Sequence, residues 1–234
     1  MRNCLQYISD LHLDRNLKGK VRKIRAECPN LLICGDVGSP LHYNFQLFFS
    51  NIKKEFDNVF FVPGNHEYNT SSAYVQNNYI KHKPYLLEII NKYNIKLLDC
   101  QSYNLSKNVI IAGATLWSQP FGKRYYQTKE DFNLHIQKHN SEVEWITNLI
   151  NNTSNKQIIM ATHFAPSPQL IEKKYCERYT DYERSWFCTN LEHLIKPPII
   201  GWFCGHSHSV LEVDINNVKC GINVSENMPK LFYY

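Results

Sequence analysis

Apolar residues along the chain follow two rhythms. Short continuous runs at Leu5 to Ile8, Leu31 to Cys34, Val59 to Val62, Ile158 to Ala161 and Ile199 to Cys204 have the length of buried strands. Between them, the apolar positions of Leu41 to Phe56, Tyr79 to Tyr93 and Phe132 to Ile150 recur at three- and four-residue steps, the period of helices with one buried face. Their alternation predicts an α/β fold, a layered sandwich with central β-sheets flanked by helices. Shorter strands are predicted at Ile95 to Leu98, Val109 to Ala112, Val210 to Ile215 and Val218 to Ile222, the last two joined as a hairpin through Asn216-Asn217. Tyr68 to Asn78 and Phe164 to Cys188 show neither rhythm and are expected to form rim loops, where function is usually carried.

Each of the five buried runs is followed at once by polar residues able to bind metal. In chain order these are Asp10-Leu11-His12, Gly35-Asp36, Gly64-Asn65-His66-Glu67, Thr162-His163 and Gly205-His206-Ser207-His208, which together hold five of the ten histidines. Ligands in open α/β sheets collect beyond the carboxyl ends of strands, so these loops are expected to converge on one crevice. Their donors are nitrogen and oxygen without a thiolate, a set suited to Mn, Fe or Zn. Gly35, Gly64 and Gly205 stand at the strand-to-loop turns, where positive φ or close backbone approach is expected.

The motifs, in this order, resemble those of the calcineurin-like metallophosphoesterase family: D-x-H, G-D, G-N-H-[DE], H and G-H-x-H. The resemblance runs from residue 10 to residue 208. It implies an αββα sandwich and, as cofactor, two divalent metal ions. Asp10, His12, Asp36 and His208 would hold one ion, and Asp36, Asn65, His163 and His206 the other, with Asp36 as the bridge. A shared carboxylate offsets the repulsion between the two cations. The implied chemistry is phosphoester hydrolysis, with a metal-bridging hydroxide attacking phosphorus in line. His66, adjacent to the ligand Asn65 but outside the ligand set, is the expected general acid, and Asn65 and His66 are the expected substrate contacts.

Within the family, Ser/Thr protein phosphatases carry an Asp-Arg shortly after the bridging aspartate. Gly35-Asp36-Val37-Gly38-Ser39-Pro40 has Ser39 in place of that Asp, which argues against that branch and removes a carboxylate partner for His66. Nucleases that process DNA ends add a capping domain, whereas this chain stops soon after His208, so one domain over residues 1–234 is expected. The preferred reading is a phosphodiesterase for a small or nucleotide-type diester. A phosphomonoesterase and a non-catalytic protein-interaction scaffold are the alternatives.

Composition narrows this only slightly. The 234 residues are 43% hydrophobic, with 26 basic and 21 acidic side chains, a globular balance that permits an anionic substrate without implying an obligate nucleic-acid partner. No apolar run approaches the roughly 18 residues that span a bilayer, and Met1 to Ile8 turns polar before a signal-peptide core could form. Eight cysteines without a C-x-x-C pair are expected to be reduced, in a cytoplasmic setting.

Several residues receive plainer expectations. His42, His82, His135, His139 and His193 are read as structural, and the run Arg15, Lys18, Lys20, Arg22, Lys23, Arg25 as a solvated face. Two basic and aromatic clusters, Lys123, Arg124, Tyr125, Tyr126 and Tyr175, Arg178, Tyr179, Arg184, would suit a nucleotide through stacking and phosphate pairing. Leu116-Trp117-Ser118 resembles a segment that borders the cleft in bacterial and viral-type members of the family; the plainer reading has Trp117 packing beneath the rim.

Overall fold

The computed structural model describes residues 3–15, 21, 23–122, 126, 128–224 and 228–234. One sheet has five strands: β1 (Cys4–Ile8), β2 (Asn30–Cys34), β3 (Asn58–Val62) and β4 (Lys96–Leu97) run parallel, and β11 (Lys230–Tyr233) pairs antiparallel with β1 at the edge. The other has six, in the order β5 (Gln101–Asn104), β6 (Val109–Ala114), β7 (Gln157–Thr162), β8 (Ile199–Cys204), β10 (Val218–Asn223), β9 (Val210–Ile215). The β9–β10 hairpin forms as expected, with Asn216 and Asn217 both at positive φ, the backbone its tight turn requires.

The apolar runs are continuous because both faces of each central strand are buried. Leu5, Tyr7, Leu32, Cys34, Phe60 and Val62 of the first sheet meet Val109, Ile111, Ile159, Ala161 and Phe203 of the second in a middle layer. The alternate residues point outward. Leu31, Ile33, Val59 and Phe61 pack under α1 (Tyr43–Glu55) and α2 (Gln76–Lys92), and Ile158, Met160 and Trp202 under α3 (Lys129–Asn152). In α1 the buried residues Phe45, Phe48, Phe49 and Ile52 follow the expected helical step. The result is the four-layer αββα sandwich.

The structure departs from the sequence reading mainly at edges. β5 and β11 were not foreseen, because an edge strand buries few side chains and so shows no apolar rhythm: only Tyr103 of β5 is even half-buried. β4 is shorter than expected. The segment from Phe164 to Cys188 is not a plain loop. It carries a 3₁₀ turn at Pro168–Leu170 and two short helices, α4 (Lys173–Cys176) and α5 (Asp181–Arg184), the latter closed by a Thr180/Glu183 capping box.

The histidines outside the motifs serve the fold. His42 caps α1, His193 is exposed, and His82, His135 and His139 are buried with main-chain partners. His135 is the clearest case. Its Nδ1 accepts the Tyr74 N–H at 2.8 Å and its Nε2 donates to Ser118 O at 2.7 Å, so the ring is neutral with both nitrogens committed. Burial lowers its pKa to about 4, against 6.5 for an open histidine. The unfolded chain therefore binds a proton there between pH 6.5 and about 4 that the native state refuses, and stability falls as pH drops through that window. The full cost is about 3 kcal/mol. Urea titrations at pH 7 and pH 4 are expected to show this loss, and His135→Asn is expected to reduce the difference between the two pH values by about 3 kcal/mol.

Candidate metal centre

β1, β2 and β3 of one sheet and β7 and β8 of the other end at a common edge, where main-chain bonds lace their loops together. Asp10 N–H donates to Gly35 O (3.0 Å), His12 N–H to Asp36 O (2.9 Å) and Gly205 N–H to His163 O (2.8 Å). Here the backbone leaves its ordinary regions: Asp10, His12, Asp36, His206 and His208 all have φ between 45° and 66°. Such conformations cost on the order of 1–3 kcal/mol each for residues with a Cβ. The sharp turns aim side chains from five loops into one space. Gly35 has φ of 85°, and a Cβ there would collide with the His163 imidazole. At Gly64 the limit is space alone, since a Cβ would meet the Asp36 carboxylate.

The expected residues converge. Donor atoms of Asp10, His12 and His208 lie within 4.8 Å of one another, as do those of Asp36, His163 and His206, and those of His12, Asp36 and His66. Asp36 belongs to the second and third groups, and His12 to the first and third. Asn65 joins the second: its Nδ2 donates to Thr70 O (3.0 Å), which turns Oδ1 toward His163 Nε2, 3.0 Å away.

The local hydrogen bonds set the ring orientations. His163 Nδ1 donates to Cys34 O (2.9 Å), which points Nε2 at the Asp36 carboxylate (3.3 Å) and the Asn65 carbonyl, where either a proton or a cation can sit. His206 places Nε2 against Trp186 O (3.3 Å) and Ser72 Oγ (3.2 Å), which leaves Nδ1 for the site. His12 and His208 bring their Nε2 atoms to 3.1 Å, with Asp10 Oδ1 3.5 Å from the latter. One of the two rings can donate to the other through its Nε2–H; with both Nε2 atoms bare, they and Asp10 Oδ1 form a cluster of acceptors that a cation would hold together. The donor set therefore fits divalent metal ions, and the main-chain partners fix tautomers as the outer partners of metal-binding histidines do.

Burial draws His12 down to about 3 and pushes His206 far below its ordinary value, so both rings present lone pairs. For His163 burial works downward, but the Asp36 carboxylate facing it raises it to about 9. Asp36 in turn is held well below the carboxylate range: burial raises it, and His163, His66 and His12 together overcome that effect. Burial raises Asp10.

Three comparisons bear on this arrangement. The model of the family described as calcineurin-like phosphoesterase matches residues 7–210. The chain belongs to that family. Its members are metal-dependent hydrolases of phosphoesters. The chain is similar to the uncharacterized protein L509 of Acanthamoeba polyphaga mimivirus, 27% identical over 265 residues that cover 94% of this chain and 89% of that protein. Among solved structures it is similar to phosphopantetheinyl hydrolase (PptH) from Mycobacterium tuberculosis, with a TM-score of 0.64 at 15% identity, covering 96% of this chain and 89% of that one. TT1561 of Thermus thermophilus superposes with a TM-score of 0.51 at 9% identity, covering 95% and 89%. At these identities the two structures share the fold.

Against this family background, three residues matter that the motifs alone did not mark out. Glu67 is fully buried and accepts main-chain N–H groups from Asp36 (3.0 Å), Gly38 (3.1 Å) and Gly64 (2.5 Å), clamping the second and third motif loops together. Burial and the nearby Asp36 charge raise its pKa to about 8, against the pull of the N–H bonds. Ser72 touches His206, as above. Arg15 is exposed, as the reading of a solvated run expected, but its Nη2 also lies 3.3 Å from His66 Nε2. Lys23 and Arg25 of the same run are exposed, while Lys18, Lys20 and Arg22 lie outside the described residues.

Of the two basic and aromatic clusters, Lys123, Arg124 and Tyr125 lie outside the described residues, and Tyr126 packs against Trp186 at 5.6 Å. In the other, Arg184 pairs with Asp181 and donates to Tyr179 O, whereas Tyr175 and Tyr179 line a cavity of about 380 Å³ floored by Asp36, Asn65, His206 and His208. Trp117 does not border this cavity. It is fully buried among Tyr74, His135 and Phe164, as the plainer reading expected. A further meeting of donors, Asp99, Cys100 and Glu142, is already neutralised by Lys83 (3.1 Å from Asp99) and Lys138 (3.0 Å from Glu142).

Proposed function

We propose that the protein is a dinuclear metal-dependent phosphodiesterase acting on a small or nucleotide-type diester. Asp10, His12, Asp36 and His208 hold one ion, and Asp36, Asn65, His163 and His206 the other. Ions of the Mn, Fe or Zn class suit this donor set. When bound, such a pair supplies both the electrophile for the phosphoryl oxygens and a nucleophile of lowered pKa.

The chain's own residues do the rest. Asp36, between the two donor groups, supplies the negative charge that lets two cations sit side by side. Asn65 directs its carbonyl inward because Thr70 O holds its amide. His66 carries the reading. Its main-chain N–H is tied to Asp36 Oδ1 (2.9 Å), while its ring stands at the mouth of the cavity, 26% exposed, with Nε2 3.9 Å from Asp36 Oδ2 and within reach of Arg15. Arg15 can only donate. A phosphate oxygen that takes its guanidinium N–H groups releases His66 Nε2 to hold the proton that the leaving alkoxide needs.

The test is hydrolysis of bis(p-nitrophenyl) phosphate and p-nitrophenyl phosphate by metal-stripped protein, with Mn²⁺, Fe²⁺ or Zn²⁺ restored. Metal-dependent turnover of the diester is expected, and His66→Ala is expected to lower kcat by about 10²- to 10⁴-fold with metal content unchanged. Turnover of the monoester alone would overturn the diesterase reading. Unaltered kcat in the His66 variant would move the proton donor elsewhere.

A further inference from the structure

The metal-floored cavity does not end at the metal donors. A second cavity of about 330 Å³, lined by Ser71, Ser72, Tyr179, Glu183, Trp186 and Phe187, shares four of those residues with the first. Tyr179 and Phe187 form the wall common to both. The Tyr179 ring lies within 11° of parallel to that of Phe187, at a centroid distance of 5.5 Å, and within 11° of Tyr175, at 6.1 Å. Phe187 in turn stands 5.4 Å from the ring of His206. One aromatic face therefore runs from the metal floor outward, on the segment carrying α4 and α5.

We infer that this wall holds the base of a nucleotide, with Tyr179 as the specificity-determining residue that stacks on it. The inference deepens the phosphoesterase reading and rests on it for the placement of the phosphate. Three features favour a base over an aliphatic substituent. Parallel rings present flat faces, which stack on another flat ring and offer a flexible chain no special advantage. The second cavity is also lined by Ser71, whose hydroxyl can meet the polar edge of a base. The wall also begins one ring away from the metal donors: successive centroid steps of 5.4 and 5.5 Å separate His206 from Tyr179. That spacing suits a phosphate joined to a ring through a pentose better than one joined directly.

The experiment is calorimetric binding to the Mn²⁺-loaded full chain, comparing AMP with ribose 5-phosphate, which lacks only the base. AMP is expected to bind about tenfold tighter or more, the usual contribution of one stacked base. Tyr179→Leu is expected to bring the ratio to within about twofold of one, Phe187→Leu to lower it, and Tyr179→Phe to preserve it. The phenylalanine variant separates loss of stacking from damage to the loop. Equal affinity of the unaltered protein for the two ligands, no binding of AMP, or hexyl phosphate binding as tightly as AMP would each overturn the inference. So would a leucine variant that keeps the preference. Because binding is read instead of turnover, a protein that prefers AMP yet hydrolyses no ester would sink the phosphoesterase reading and leave this one standing.

Discussion

Replacing Asp36 by Asn is expected to strip the protein of both metal ions together and to lower diester hydrolysis by about 10³-fold or more. Two divalent cations about 4 Å apart repel by roughly 16 kcal/mol even at an effective dielectric constant of 20. A carboxylate between them offsets part of this through its charge, and an amide does not. Asparagine is nearly isosteric, so the loops should survive: Asp36 Oδ1 accepts the His66 N–H, and an amide oxygen can do the same. Elemental analysis of the purified variant checks the prediction. Retention of one equivalent of metal would show that Asp36 serves a single ion and would overturn its role as bridge.

Glu67→Ala is expected to destabilise the fold by about 3 kcal/mol or more while weakening metal binding, although Glu67 is assigned to neither ion. The change removes the carboxylate that accepts three buried N–H groups, those of Asp36, Gly38 and Gly64, and each unsatisfied buried donor costs about 1–3 kcal/mol. Glu67→Gln keeps one carbonyl oxygen and should fall between wild type and Ala. Denaturant unfolding of the metal-free proteins measures the loss without contribution from bound ions. A change below about 1 kcal/mol would mean that water replaces the carboxylate, and that the clamp is dispensable.

The central strands and the five motifs were legible because each is written in consecutive residues. A strand buried on both faces declares itself as an unbroken apolar run, and the donors follow it directly. What escaped the sequence depends on contacts between distant residues. β5 and β11 hold their places by edge pairing, with little apolar signal of their own. Arg15 looked like one member of a basic run until the fold carried it to His66, 51 residues away in the chain. Glu67 stood inside a recognised motif, yet its task is set by where three N–H groups point, and the left-handed turn at Asp36 decides that for one of them. The α4 and α5 turns are too short for a helical period to show.

The proposed donors come from both halves of the sandwich. Asp10, Asp36 and Asn65 follow strands of one sheet; His163, His206 and His208 follow strands of the other. Neither half owns a complete set for either ion, so the spacing of the donors is set by how far apart the sheets rest and by how they are aligned. That separation is the thickness of the middle layer, where Tyr7 lies against Phe203 with ring centroids 4.4 Å apart and its hydroxyl donates to Glu212 at 2.6 Å. The interior packing thus acts as a gauge block for the chemistry: side chains that never meet substrate determine the gap across which the ions are held, and any sliding of one sheet over the other is registered first at the metals.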